Sequence, residues 1–101
     1  MKKKAINIKG VVYPFRLTIG AMMAYRRDTG EDFTRFDGSD ITKLGTIIYH
    51  GARCATLAEG REFPFNTPEE FLSHIDMDDA ARLLGTDDKP SDTEGGAPGE
   101  G

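Results

Sequence analysis

LTIGAMMAYRRDTG, Leu17 to Gly30, is the stretch on which the arrangement of this chain turns. It has the marks of a short helix. Thr18 can cap its start through the side-chain oxygen, and Gly30 is the residue type that takes the left-handed conformation past a helix end at least cost. Ala21, Met22, Met23, Ala24 and Tyr25 make the helix apolar over more than one face, which predicts cover from two sides. The segment upstream can supply one cover. The other must come from a later helix or from another chain.

Upstream, Ala5–Ile8 and Val11–Thr18 flank Lys9-Gly10, a short turn with a glycine available for positive φ, and together they read as a β-hairpin. Ile6 and Ile8 share one face, as do Val11, Tyr13, Phe15 and Leu17, the period of two expected of a half-buried sheet. Pro14 cannot donate to a ladder and points to an edge strand or a bulge. The hairpin is thus expected to keep an open edge. An isolated hairpin is marginal in water, so it must pack on helices, pair again with Phe63-Pro64-Phe65, or extend across subunits.

Downstream, Phe33 and Phe36 sit in a polar loop, either tucked beneath it or forming an exposed aromatic pair. Ser39 or Asp40 caps a long helix to Ala58, with Gly60 as its stop. Ile41, Leu44, Ile48, Ala52 and Ala55 recur at spacings of three and four and mark this as the core helix. Gly45, Gly51 and Ala52 lack bulk and leave room for another helix to come close, at some cost in helix propensity. Thr67-Pro68-Glu69-Glu70 starts a further short helix, with Glu70 placed for a capping box. Phe71, Leu72 and Ile75 point inward from it. Asp76 can recap a last turn or two through Met77, Ala80, Ala81, Leu83 and Leu84, ending at Gly85. The predicted fold is α+β: an N-terminal hairpin and three to four helices over residues 1–85, followed by a disordered acidic tail over 86–101.

That tail holds Asp87, Asp88, Asp92, Glu94 and Glu100 against Lys89 alone, so it carries the whole formal charge of -4 of the 101-residue chain. It contains no large apolar residue to offset the entropy of ordering. The remaining body is formally neutral and offers no broad basic field for nucleic acid; Arg26-Arg27 and Lys2-Lys3-Lys4 lack interleaved stacking aromatics. A body of about 85 residues buries roughly 60–65% of its extended surface, so association would supplement a marginal core. Cys54, the single cysteine, cannot form an internal disulfide and points to a reducing cytoplasm. Met1-Lys2-Lys3-Lys4 resembles the start of a signal peptide, but no continuous apolar core follows, and no stretch approaches the ~18 apolar residues of a membrane span.

Material for chemistry is thin. His50 precedes Cys54 by four residues, and with His74 these allow a thiol or metal site on paper, but no CxxC or HExxH accompanies them. Asp76, Asp78 and Asp79 lack the glycine and distal glutamate of a calcium loop, and capping explains them. No glycine pattern cradles a phosphate. The expectation is a protein that is not an enzyme and takes no cofactor and no metal. Its partner-contact candidates, on physical argument, are Tyr13, Phe15, Met22, Met23, Tyr25, Phe33 and Phe36, together with the hairpin edge.

The order of features carries one more signal. A short strand (Ile6, Ile8), a glycine turn (Gly10), a strand with an aromatic (Tyr13), Thr18, Gly20-Ala21-Met22, Tyr25, and Asp28 before Thr29-Gly30 follow one another. In that order they resemble the start of phage tail assembly chaperones, particularly those of prophages in Bacteroides-type bacteria. The motif covers the first third of the chain, and helix order and length extend the resemblance to about Gly85; the tail has no counterpart. The resemblance implies a small non-enzymatic protein, absent from the finished virion, that binds the tape measure protein and helps recruit tail tube protein, with self-association as a further partnership and no role for nucleic acid or membrane. The competing reading is a small regulatory or nucleic-acid-binding module using Lys2 to Lys4, Arg26 and Arg27.

Overall fold

At the hairpin tip Lys9 and Gly10 both take positive φ, 54° and 85°. That pair of conformations is the two-residue turn whose twist matches the flanking strands, and the Asn7 side chain steadies it by accepting from Gly10 N at 3.0 Å. The computed structural model describes residues 4–85. It begins with β1 (Lys4–Ile8) and β2 (Val11–Phe15), paired antiparallel with Ile8 opposite Val11 and Lys4 opposite Phe15. The helices α1 (Ile19–Thr29), α2 (Ile41–Ala58), α3 (Pro68–Leu72) and α4 (Met77–Leu84) follow, with a 3-10 turn over Phe33–Arg35. The fold is α+β. The tail over 86–101, expected to be disordered, and Lys2 and Lys3 lie outside the described residues.

Local chemistry sets the helix bounds. Thr18 Oγ1 accepts from Ala21 N at the start of α1, and Gly30, at φ 78°, donates its N–H to Arg26 O past the end. Asp40 rather than Ser39 caps α2, accepting from Thr42 N and Lys43 N. Asp76 and Asp79 form a reciprocal capping box at α4. At α3 the expected box is displaced. Thr67 accepts from Glu70 N, but the Glu70 carboxylate reaches back to Asn66 N at 2.8 Å, one residue before the cap.

The central element is α2, which packs against β2, α1, α3 and α4. The hairpin lies on α2 through β2, and not chiefly on α1 as chain order suggests. The reason is Gly51. A Cβ built there would come within 2.3 Å of Phe15 Cε1, so the Phe15 ring rests directly on helix backbone, and Arg16 N donates to Gly51 O at 3.3 Å beside it. Gly45 likewise admits Leu72 of α3, whose Cδ1 lies 2.8 Å from where a Cβ would stand. The small positions of α2 thus receive a strand's aromatic ring and one leucine side chain.

Phe63 and Phe65 do not add a third strand; the described sheet has two strands. Both rings turn edge-on to Tyr13, at 5.9 and 5.5 Å, and pack with Tyr49 and Phe71 into an aromatic cluster. Pro64 between them has no N–H to offer, and Arg61 Nη2 already donates to Val12 O at 2.7 Å, on the edge a third strand would have to join. On the other edge Arg82 Nη1 donates to Ala5 O at 2.9 Å. In a two-residue hairpin the closing pair exchanges hydrogen bonds, so by alternation Ala5, Val12 and Pro14 turn their backbone groups outward. Two arginines and a proline therefore blunt both edges of the hairpin, where one open edge was expected.

Because Phe15 leaves no room for a methyl, Gly51→Ala should lower the unfolding free energy by about 1–3 kcal/mol, although alanine improves helix propensity by about 1 kcal/mol. Urea titrations of Gly51→Ala alone and together with Phe15→Leu test this. The cost should shrink when Phe15 is leucine, and an equal cost in both backgrounds contradicts the contact.

Candidate functional site

The structure divides the residues expected to meet a partner between core and surface. Tyr13, Phe15 and Tyr25 are 6%, 3% and 0% exposed, so all three belong to the core and not to an interface. For Tyr25 the cause is a double cover, by α2 and by the loop after α1. Phe33 and Phe36 stack at 5.2 Å and present their edges to the Tyr25 ring at 5.7 and 6.0 Å. Burial pushes the Tyr25 phenol above its ordinary pKa, with the nearby Lys43 charge opposing. Met22, half-buried, Met23, exposed, and Phe33 do come together, lining with Ile19, Arg26 and Asp32 a shallow pocket on α1.

His50 and Cys54 do not join in a site. His50 is 3% exposed, and its Nε2 lies 2.6 Å from Asp28 Oδ2 on α1. That hydrogen bond holds the Asp28 carboxyl below its ordinary pKa, with burial opposing; an ionised carboxylate only accepts, so the proton sits on Nε2. Nδ1 is buried with no hydrogen-bond partner. The nitrogen that would have to face a nucleophile or metal is sealed, and the dyad acts as a clasp between α1 and α2. Cys54 instead faces the start of α1, its Sγ 3.9 Å from a Cβ built on Gly20. Among the described residues no group of three His, Cys, Asp or Glu side chains is placed to hold a metal ion, and no helix is long and apolar enough to cross a membrane.

What the fold does present is an apolar groove between α2, α3 and α4. Its larger part, about 380 Å³, is lined by Ile41, Leu44 and Ile48 from α2, Leu72 at the end of α3, and Ile75 and Met77 around the next turn. A smaller continuation of about 130 Å³ shares Leu44 and Met77 and runs to Leu84 and Phe36, the one expected contact residue found in this groove. The groove has a sequence cause. Leu72 of α3 sits against Gly45 of α2, the chain turns over Ser73–Asp76, and the Asp76 cap restarts a helix, α4, whose Met77 and Ala80 line the opening together with Ile41, Leu44 and Ile48. Ile41 and Met77 stand at the mouth, 62% and 59% exposed.

The lining contains one charged side chain, Asp76, whose Oδ1 is held by Asp79 N at 2.8 Å. A small-molecule site needs several convergent polar groups to orient its ligand, and this groove lacks them. It can accept apolar side chains. Sequence reading missed it because Ile41, Leu72, Ile75 and Met77 have the spacing of core residues; the available signal was that α3, only five residues long, is too short to cover the first half of α2. No family model, curated protein or solved structure matches the chain.

The Asp28 clasp makes a pH-dependent contribution. Since the folded pKa lies below the ordinary carboxylate value of 3.8, the stabilisation is complete above that value and is lost as pH falls through the folded one. Unfolding free energies measured from about pH 5 to about pH 2 should fall more steeply for the natural protein than for Asp28→Asn. At neutral pH, Asp28→Ala should cost about 1–3 kcal/mol by stranding a buried imidazole N–H. Parallel acid slopes would show that the clasp contributes nothing.

Proposed function

We propose that this chain is a non-enzymatic tail assembly chaperone: it binds the tape measure protein of a phage or prophage and helps bring tail tube subunits to it, in the reducing cytoplasm of a bacterial host. The observation that carries the reading is the open apolar groove of α2, α3 and α4, with Ile41 and Met77 exposed at its mouth and no set of polar groups suited to turning over a small substrate. The residues behind the family resemblance fit the same picture as frame. Gly10 makes the hairpin turn, Thr18 and Gly30 bound α1, Tyr25 fills the core, and Asp28 clasps His50. Partner recognition is then left to the groove.

The nucleic-acid alternative finds less support, because Arg26, Arg27, Arg61 and Arg82 are all engaged within the chain, with Asp32, Asp28, Val12 O and Ala5 O respectively.

Co-expression of the tagged full chain with the tape measure protein of its own phage or prophage, followed by affinity capture, tests the function. The natural chain should recover that protein. Ile41→Asp and Met77→Asp should each reduce recovery about tenfold or more, since an uncompensated charge in an apolar contact costs more than 1.4 kcal/mol. Both positions begin helices, where an acid suits the positive dipole end, so melting temperatures should hold. Met23→Asp on α1 should recover normally. Absence of the tape measure protein from captures with the natural chain would sink the reading.

A further inference from the structure

Resting on the partner-binding reading above, we propose that the groove selects one kind of occupant: a helical segment of a partner protein whose apolar stripe is flanked by lysine or arginine.

The mouth is acidic by construction. Asp40 immediately precedes Ile41, Asp76 lines the groove, and Asp78, exposed, follows Met77. The cations of the same elements nearest the mouth are drawn elsewhere, Lys43 Nζ to Glu31 at 2.6 Å and Arg82 to Ala5 O and Asp79, while Arg53 lies about three turns along α2 from Ile41. Two helix N-termini at this mouth each contribute only about half a positive charge, and the carboxylates outweigh them. A basic rim on the occupant meets this field, and an acidic one is repelled.

Other occupants fit less well. The chain's own segment 86–101 has no large apolar residue to fill the groove and carries the wrong sign of charge. A second copy presents an apolar ridge, Ile19 and Met23, but Arg26 and Arg27 beside it are paired with Asp32 and Asp28 and leave no free basic rim. An extended peptide would need a sheet edge to satisfy its backbone, and the walls here are helices; a helical occupant brings its own backbone hydrogen bonds. The α4 wall, eight residues long, spans about 12 Å, a little over two turns. That length matches an apolar stripe at i, i+3, i+4 and i+7.

The probes are two synthetic amphipathic peptides of about 18 residues, with the same leucine stripe at that spacing and either lysine or glutamate at all other positions. Fluorescence anisotropy with the full chain should show the lysine peptide binding at least about tenfold more tightly than the glutamate peptide, with the advantage falling as salt rises. Met77→Lys and Ile41→Lys should abolish binding of the lysine peptide, Asp78→Lys should narrow the preference, and Met23→Lys should leave it unchanged. Equal affinity for both peptides, or lysine-peptide binding indifferent to Met77→Lys, overturns the inference. So does concentration-dependent self-association of the full chain in sedimentation that Ile41→Lys removes, since the occupant is then a second copy. Capture of the tape measure protein with equal peptide affinities refutes the inference and spares the function; a tenfold preference without that capture refutes the function and spares the groove's selectivity.

Discussion

The Phe15 ring lying on the bare backbone of Gly51 is the contact from which the rest of the architecture follows. A glycine in the middle of an eighteen-residue helix weakens that helix by about 1 kcal/mol relative to alanine, so the close approach has to return at least that much through burial. What it returns is position. With Phe15 seated, β2 is fixed across α2, Tyr13 is brought over to Phe63 and Phe65, and the segment after α2 is held by rings where a backbone ladder would be impossible for Pro64. The same device one helix-half earlier, Leu72 against Gly45, draws α3 onto α2 and leaves α4 to start from a fresh cap. The groove is the space left by this sequence of placements.

Polar groups then close the frame. Arg61 and Arg82, far apart in sequence, each donate to an outward carbonyl of the hairpin, so the two edges on which another chain could template are occupied from within. Asp28 and His50 tie α1 to α2 at a point where the aromatic pair Phe33 and Phe36 already covers Tyr25. The backbone edges of the hairpin and the seam between α1 and α2 are therefore satisfied from within, while Ile19 and Met23 of α1 remain exposed. Where α2 begins beside α4, Ile41 and Met77 are exposed over an apolar groove larger than the shallow pocket beside Met23, and that difference gives the functional proposal its location.

Features governed by near neighbours were legible in the sequence. The Lys9-Gly10 turn, the caps at Thr18, Asp40, Thr67 and Asp76, and the terminating glycines at 30 and 85 depend on contacts within three or four residues, and each appears where the residue types placed it. Features joining distant segments were not. Asp28 meets His50 across 22 positions and Arg82 meets Ala5 across 77, and no periodicity encodes either. Tyr25 and Met23 illustrate the limit on a single helix: both belong to one apolar run, yet Tyr25 is fully buried and Met23 is 69% exposed, because α2 and the following loop cover one side only. For the groove the failure was of the reverse kind. Its residues have core spacing, and only the shortness of α3 and the restart at Asp76 leave them uncovered.

The central claim is that the hairpin and α1 are frame while the groove of α2, α3 and α4 is the working surface. Hydrogen–deuterium exchange of the full chain, alone and in complex with the tape measure protein, addresses it most directly. The account predicts slowed exchange over residues 41–45 and 72–84 on binding, with α1 and the hairpin unchanged. Protection gained instead along α1 would contradict it.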